Sequence, residues 1–147
     1  MSFLTALRSS ASGLTAQRVR MDAIANNVAN AETTRTADGG PYKREQVRFL
    51  PRGASPFALA LDRLRGAPSG SYDGVDVVAV SDDQSPPRLV FDPAHPDAND
   101  DGYVAYPNVN PVTEMVDMMA ATRAYQANVT VMNAAKQLAL KALEIGK

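Results

Sequence analysis

The clearest hydrophobic pattern of this sequence lies near its end. Apolar or small residues recur at alternating steps of three and four, at Met115, Met118, Thr122, Tyr125, Val129 and Met132. This spacing is the heptad pattern of a helix that packs along one stripe. Asn110 can cap the helix, and Pro111 suits its first turn, where a missing N–H costs no hydrogen bond. The pattern predicts a helix over residues 111–145. At roughly 1.5 Å per residue it would be about 50 Å long, too long for a simple globule of this size.

A second stripe of the same kind predicts a helix over residues 2–31, with Ser2 as its N-cap. Its positions again alternate in steps of three and four, at Leu4, Leu7, Ala11, Leu14, Arg18, Met21, Ala25 and Val28. Gly13 weakens the middle of this helix by about 1 kcal/mol relative to alanine, and Arg18 interrupts its stripe. The helix therefore depends on close neighbours. We expect the two terminal helices to pair as an antiparallel coiled coil, with Leu4, Leu7, Leu14, Met21, Val28, Met115, Met118, Tyr125, Val129 and Met132 as its seam.

The polar faces of both predicted helices lack charge over long stretches. Residues 9–17, 24–31 and 124–135 contain no Asp, Glu, Lys or Arg, whereas an exposed coiled coil usually carries Glu and Lys beside its seam. Uncharged polar faces can be buried without a large desolvation cost. One interpretation turns these faces toward the chain's own middle region. We favour a face buried between subunits, with contacts at Gln17, Arg20, Asn26, Asn27, Asn30, Gln126, Asn128 and Asn133.

The middle of the chain has the pattern of short strands separated by turns. Gly39-Gly40-Pro41 marks a turn. Strands are predicted at 74–81, 88–91 and 102–106, and residues 42–49 could form another. Three or four short strands at this spacing predict a small antiparallel sheet. Residues 51–72 are rich in proline, glycine and serine and read as a variable, flexible linker, in which 57–64 could form two helical turns. The predicted fold is mainly α with a small β insertion: an N-terminal helix (1–32), a middle region (33–109) and a C-terminal helix (110–147).

Composition narrows the class of protein. The sequence has no cysteine, which excludes disulfides and Cys-ligated metal sites. No apolar run reaches the ~20 residues that a membrane span needs, and the N-terminus lacks the pattern of a cleavable signal peptide.

The net charge of −1 divides into +5 over residues 1–65, −9 over 66–122 and +3 over 123–147. The basic residues are too scattered for a nucleic-acid site. With this distribution of charge, the basic end of one copy can pair with the acidic middle of another copy.

Candidate chemistry is sparse, and no enzyme activity or cofactor is predicted. Asp97–Gly102 (DANDDG) matches the opening of a calcium loop, but the twelfth position is Asn108 instead of glutamate. An Asx-rich turn before a strand explains the segment better. His95, the only histidine, has no nucleophile or second ligand near it in sequence.

Both ends also carry motifs of one protein family. Residues 14–33 resemble the N-terminal motif of the bacterial flagellar axial proteins, which build the rod and hook, with ANNVANA at its centre. Further stretches make the chain similar to the proximal-rod proteins of that family: Gly39–Tyr42, Pro86–Asp97, Gly102–Asn110, Glu114–Met118 and Tyr125–Asn128. The resemblance spans nearly the whole chain, and only residues 51–72 fall outside it.

The resemblance implies a structural subunit of the flagellar basal body. Such a subunit would leave the cell through the flagellar type III export apparatus and polymerise into the periplasmic rod, which joins the membrane ring to the hook and transmits torque. Its implied partners are other copies, rod proteins of the FlgB, FlgF and FlgG types, and the ring–rod adaptor FliE. It would bind no nucleic acid and insert into no membrane. The terminal helices would line the export channel, and the middle region would form an outer layer.

Two other functions compete with this interpretation. An autonomous coiled-coil adaptor or chaperone should form a stable, small closed oligomer in solution, whereas an isolated rod subunit should be monomeric with poorly ordered ends. Circular dichroism with sedimentation separates these two. A calcium-regulated binding module would give binding heat on calorimetry with calcium.

Overall fold

A computed structural model of the chain describes residues 3–37, 39–52, 64 and 74–145. Within these residues, two long helices precede and follow four short strands in the sequence. The elements are helix α1 (Phe3–Ala29), strands β1 (Glu45–Pro51), β2 (Val75–Asp82), β3 (Arg88–Phe91) and β4 (Tyr103–Tyr106), and helix α2 (Pro111–Ile145). The mainly helical class with short antiparallel strand pairs is therefore confirmed.

Helix α2 has the boundaries that the sequence predicts. The Asn110 side chain caps it, because its Oδ1 accepts hydrogen bonds from the backbone N–H of Val112 at 3.0 Å and of Thr113 at 3.4 Å. The Glu114 N–H donates to the Asn110 carbonyl at 3.0 Å, which starts the helical hydrogen bonding. Pro111, lacking an N–H, leaves no donor unsatisfied in this first turn.

Helix α1 ends two residues before its predicted boundary. The Asn30 side chain donates to the Asn26 carbonyl at 3.0 Å, so it competes with the backbone for a helical acceptor. Ala31 N–H then bonds to the carbonyl of Val28, three residues back, which tightens the last turn. Ser2, the predicted N-cap, lies outside the described residues, as does the predicted two-turn helix at 57–64 apart from its last residue.

The four strands form two separate two-stranded sheets, β1 with β2 and β3 with β4, and not the single sheet that the sequence predicted. In the second sheet the register pairs Arg88 with Tyr106 and Phe91 with Tyr103. Strand β1 starts at Glu45 because the N–H of Tyr42 is committed to the carbonyl of Thr33, at 3.0 Å, in the preceding turn. The Gly39–Gly40 turn is confirmed by φ values of 83° and 82°, which only glycine adopts easily.

The chain divides into two compact units, and both helices contribute to each. The first unit contains Met1–Val19, Arg48–Ala79 and Thr122–Lys147, and the second contains Arg20–Val47 and Val80–Ala121. Among the described residues, most of the fully buried hydrophobic side chains belong to the second unit: Ala23, Ile24, Ala31, Val104, Val109 and Ala121. These side chains are mostly small, so the second unit relies on buried polar contacts as well as on its core.

Candidate assembly site

The second unit is built around the side chain of Asn27, which is only 1% exposed. Its Oδ1 accepts hydrogen bonds from the Glu45 N–H at 2.7 Å and the Tyr42 hydroxyl at 3.1 Å. Its Nδ2 donates to the Glu45 carbonyl at 2.9 Å and to Glu114 Oε2 at 3.2 Å. The amide thus uses both donors and both acceptor positions. One asparagine therefore fixes the end of α1 to the start of β1 and to the first turn of α2.

Glu114 carries the only charge among the fully buried side chains of the described residues. Its Oε1 accepts from Nε of Arg44 at 2.7 Å and forms an ion pair with Nη2 at 2.7 Å. Its Oε2 accepts from Asn27, so both oxygens have partners. Glu114 also lies in the first turn of α2, where the helix dipole favours a negative charge. A buried carboxylate is tolerated here because its partners replace the water that it loses.

Tyr42 completes this cluster through the hydrogen bond that its hydroxyl donates to Asn27. Burial raises the pKa of the Tyr42 hydroxyl to about 12, with the charges of Glu45, Asp82 and Glu114 adding to the shift. The phenol therefore stays protonated and keeps donating across the physiological pH range.

Asn27 corrects one prediction about the interface between subunits. We expected this residue on a surface between copies, but its side chain is buried and fully bonded inside the chain. The uncharged face of α1 is turned toward the chain's own middle region here, which is the alternative interpretation of that pattern. In the first unit, the buried Ser12 side chain of α1 also binds the middle region, because its Oγ accepts a hydrogen bond from the Val75 N–H at 3.0 Å.

The other predicted interface residues have different surroundings. Arg20 forms a half-exposed ion pair with Asp117 at 3.6 Å. The exposed Asn26 side chain donates to Glu45 Oε2 at 3.5 Å. Asn30 and Asn128 are half-buried, and Gln17 Oε1 is buried without a hydrogen-bond partner. The exposed members on α2 are Gln126 and Asn133.

The predicted seam residues are mostly half-buried. Leu4 and Met115 are exceptions, because both are exposed and the chain alone does not bury them. The remaining eight are of intermediate burial: Leu7, Leu14, Met21, Val28, Met118, Tyr125, Val129 and Met132. The most buried line of α1 runs beside the predicted stripe, through Ala16, Ala23, Ile24 and Asn27. Small side chains on that line let strands and turns approach the helix closely.

An apolar groove of about 640 Å³ opens on the surface of the second unit. It is lined by Ala25, Val28 and Ala29 of α1 and by Met115, Met118 and Met119 of α2. Met115 and Met119 are exposed, although methionine is usually buried. We call this feature the methionine groove.

Helix α2 also exposes large hydrophobic side chains outside the groove. Large hydrophobic side chains are exposed along the whole of α2, at Val112, Met115, Val116, Met119, Val131, Leu138, Leu140 and Leu143. A single exposed hydrophobic residue is common on a protein surface, but this many on one helix indicate that part of it contacts other protein.

The aspartate-rich segment forms the Asx turn that its sequence predicts. Asn99 Oδ1 accepts from the N–H of Asp101 at 3.1 Å and of Tyr103 at 2.8 Å. Gly102 adopts a φ of 80°. Asp97 accepts from Thr34 Oγ1 at 2.8 Å. No group of three or more His, Cys, Asp or Glu side chains suited to a metal ion occurs within the residues that the structure describes.

The only histidine supports this turn. His95 Nδ1 accepts from the Asp97 N–H at 3.1 Å, and its ring lies edge-on to the Tyr106 ring, with 6.3 Å between centroids. These contacts give His95 a structural role.

Comparison with known proteins identifies the family. Two family models match: "Flagella basal body rod protein" over residues 7–35 and "Flagellar basal body rod FlgEFG protein C-terminal" over residues 100–145. The flagellar basal-body rod protein FlgC of Bacillus subtilis (strain 168) is 46% identical over 100% of both chains. This chain belongs to the FlgC-type flagellar basal-body rod proteins. The FlgC protein of Borreliella burgdorferi is 45% identical over 99% of this chain and 98% of its own, and that of Escherichia coli O157:H7 is 40% identical over 100% of both.

Membership of the FlgC-type rod proteins accounts for the kind of site found here. These are structural proteins of the flagellar basal body and not enzymes. The relevant surfaces are therefore those that contact other subunits. Within the described part of the chain, no helix is long and apolar enough to cross a membrane.

Sequence patterns missed the ion pair of Glu114 with Arg44. The two residues are 70 positions apart, and nothing in their local sequence pairs them. The only available signal was a lone acidic residue in the first turn of α2, a position that the helix dipole favours without any ion pair.

Proposed function

We propose that this chain is a subunit of the proximal rod, polymerising in the periplasm into the shaft that links the membrane ring to the hook. The observation that carries this proposal is the run of large apolar side chains that α2 leaves exposed from Val112 to Leu143. A single chain gains nothing from exposing them, whereas a subunit surrounded by neighbours buries them. Torque would then pass through many such contacts in parallel, around a central export channel.

Pairing of the two helices as an antiparallel coiled coil belongs to the same proposal. In the second unit, Arg20 contacts Asp117 and Asn27 contacts Glu114. The residue numbers of α1 increase while those of their partners on α2 decrease, as they do in an antiparallel pair. In the first unit, a Cβ added to Gly13 would lie 2.9 Å from Asn128 Nδ2. Both observations support close antiparallel packing. The exposed seam residues Leu4 and Met115 would be covered when neighbouring subunits extend this packing.

The partners follow from the place of such a subunit in the rod. They would be other copies of this chain, rod proteins of the FlgB, FlgF and FlgG types, and the adaptor FliE. The flagellar type III export apparatus would carry the chain across the inner membrane, with no cleaved signal peptide. Gln126 and Asn133, exposed and uncharged on α2, are proposed contacts between subunits, together with Gln17, Arg20, Asn26, Asn30 and Asn128.

Deletion and complementation test the proposal directly. A source strain without the gene should be non-motile and lack complete hook–basal bodies, and the intact gene should restore both. Mass spectrometry of purified basal bodies should detect this chain with an unprocessed N-terminal region. Normal motility of the deletion strain, or absence of the chain from its basal bodies, would contradict the proposal. A trimmed N-terminus would contradict only the export route.

A further inference from the structure

We propose that two copies of this chain join through the free edge of strand β3 and form one continuous four-stranded antiparallel sheet. Strand β3 belongs to a two-stranded sheet and has β4 on one side only. A strand with an unpaired side presents backbone N–H and C=O groups that another chain can bind. This contact goes beyond the rod function proposed above and does not depend on it.

The hydrogen bonding of β3 to β4 shows which backbone groups are already used. The Asp92 N–H donates to the Gly102 carbonyl at 3.0 Å, just beyond the end of the strand pair. Hydrogen-bonded and non-hydrogen-bonded pairs alternate along an antiparallel ladder. In the observed register, β3 therefore bonds to β4 through Val90 and Arg88.

Leu89 and Phe91 carry the unpaired groups of β3. They alternate with the bonded residues, so their N–H and C=O groups point away from β4. No hydrogen bond from elsewhere in the described chain reaches these groups. Both residues are 63% exposed, which leaves room for another strand. The outer edge of β4 is less open, because Asn99 bonds to both the N–H and the C=O of Tyr103.

The edge of β3 is complementary to itself. When two copies of β3 run antiparallel with Leu89 opposite Phe91, each of these residues both donates to and accepts from its counterpart. All the unpaired N–H and C=O groups of the two edges are then bonded. Sliding the strands by two residues would oppose one of them to Pro87 or Pro93, which have no N–H and would leave a carbonyl of each edge unbonded.

Charge favours the same register. In this arrangement Arg88 of each copy lies directly across from Asp92 of the other copy. Arg88 packs over the Tyr106 ring, with 5.5 Å from the guanidinium carbon to the ring centroid, and the Asp92 carboxylate accepts one hydrogen bond, from the Ala94 N–H. Neither side chain forms an ion pair within the described residues. Both can therefore pair across the contact, and opposite charges on facing strands stabilise a sheet.

The remaining charges of this region do not oppose the contact. The turn after β3 carries Asp97, Asp100 and Asp101, of which Asp97 is paired with Arg35 in its own chain. Because the two copies of β3 are antiparallel, their acidic turns lie at opposite ends of the four-stranded sheet. Each turn is then nearer to Arg88 of the other copy than to the other acidic turn.

The contact has two-fold symmetry, with its axis between the two copies of Val90. A two-fold contact closes on itself and cannot extend a filament, so we assign it to subunits that are not yet assembled. It also covers a strand edge that would otherwise be open to uncontrolled pairing. A closed dimer thus replaces the monomer that the sequence led us to expect for the isolated subunit, and strands hold it together instead of helices.

Single cysteine substitutions in the purified chain test the register, because the native chain has no cysteine. Val90 would face its counterpart at a non-hydrogen-bonded position, where Cα atoms are about 4.5 Å apart, a distance that suits a disulfide. Leu89 and Phe91 would lie diagonal to their own counterparts, at about 7–8 Å. Mild oxidation should link Val90→Cys into dimers severalfold more than Leu89→Cys or Phe91→Cys. Exposure alone predicts the reverse order, since Val90 is half-buried.

Sedimentation equilibrium of charge variants tests the pairing of Arg88 with Asp92. Arg88→Asp and Asp92→Arg should each weaken the dimer by about tenfold or more, because two attractive pairs become repulsive. The double variant should restore association. The matched control is Arg48→Asp, the same charge change at an exposed residue of β1, which should leave association unchanged. Circular dichroism verifies that each variant is folded.

Several results would overturn the proposal. These are a native chain that stays monomeric at every concentration, linkage at position 89 or 91 as strong as at position 90, and a folded double variant that associates as weakly as the single variants. Association that survives Arg88→Asp unchanged would also overturn it, because the copies would then be joined elsewhere, as through the helices of an adaptor. None of these results bears on the rod function, which the deletion strain tests separately.

Discussion

Removal of the buried carboxylate of Glu114 should destabilise the fold strongly. Glu114→Ala leaves Arg44 without its counter-ion and deprives Asn27 of one acceptor. Breaking a buried ion pair from one side typically costs about 3–5 kcal/mol. The Arg44 side chain is 25% exposed, so water can solvate the remaining charge in part. We therefore expect a loss near the lower end, about 3 kcal/mol. For a domain of this size, that corresponds to a fall in Tm of roughly 6–12 °C.

Urea unfolding followed by circular dichroism measures this loss. The matched control is Asp117→Ala, three residues further along α2, which breaks a half-exposed pair with Arg20 at 3.6 Å. Exposed pairs contribute at most about 1 kcal/mol, so this variant should remain close to the native stability. A second control, Arg44→Met with Glu114→Leu, removes both charges and should cost less than Glu114→Ala alone. Equal effects of Glu114→Ala and Asp117→Ala would refute the reasoning.

Three further predictions concern a phenol, a glycine and two exposed carboxylates. The pKa of the Tyr42 hydroxyl is raised to about 12. The stabilisation of the fold that accompanies this shift is therefore complete below the ordinary pKa of 10, and it is lost as the pH rises from 10 to about 12. Ultraviolet titration of tyrosinate should show one late-titrating group that Tyr42→Phe removes. Gly74→Ala should destabilise by more than about 1 kcal/mol in urea unfolding, because φ is 108° and the new Cβ would meet Ser12 Oγ. Charge reversal of Asp100 and Asp101 to lysine should reduce swimming and rod assembly, because we propose that the acidic middle faces basic ends of neighbouring copies.

Each of these predictions has an outcome that contradicts it. If the signal that Tyr42→Phe removes is one that titrates near pH 10, the Tyr42 phenol does not have the raised pKa that its surroundings in the cluster imply. Native stability of Gly74→Ala would show that the β2 start can move away from Ser12. Normal motility of the Asp100/Asp101 variant would remove the charge argument. Asp97 is left native in that variant because it bonds to Thr34 and Arg35 within the chain.

The start of α2 can be predicted from local signals in the sequence. The buried side of α1 and the pairing of the strands depend on tertiary contacts. The start of α2 depends on Asn110 and Pro111, whose effects are confined to one turn, so the predicted boundary agrees with the structure. The buried side of α1 depends on what packs against it. Asn27 is buried because Glu45 and Tyr42 supply its partners, and no periodicity in α1 contains that information. The separation of four strands into two sheets is likewise a matter of non-local pairing.

The exposed surface of α2 stays a predicted interface between subunits. Its uncharged stretch, 124–135, predicted an interface, and Gln126 and Asn133 are exposed within the single chain. The same reasoning failed for Asn27, because an uncharged polar side chain satisfies a neighbouring strand as readily as a neighbouring subunit. Composition alone cannot distinguish these two partners. The sequence placed three residues of the methionine groove, Val28, Met115 and Met118, in the predicted seam between the helices, but it did not predict an open groove there.

A cryo-EM map of the intact basal body tests the central claim most directly. The proposal predicts that this chain can be traced in the rod on the periplasmic side of the membrane ring, with α1 and α2 continuous and the exposed side chains of α2 covered by neighbouring subunits. A rod whose density accommodates only other proteins, or a traced chain whose α2 surface stays exposed to solvent, would contradict the account.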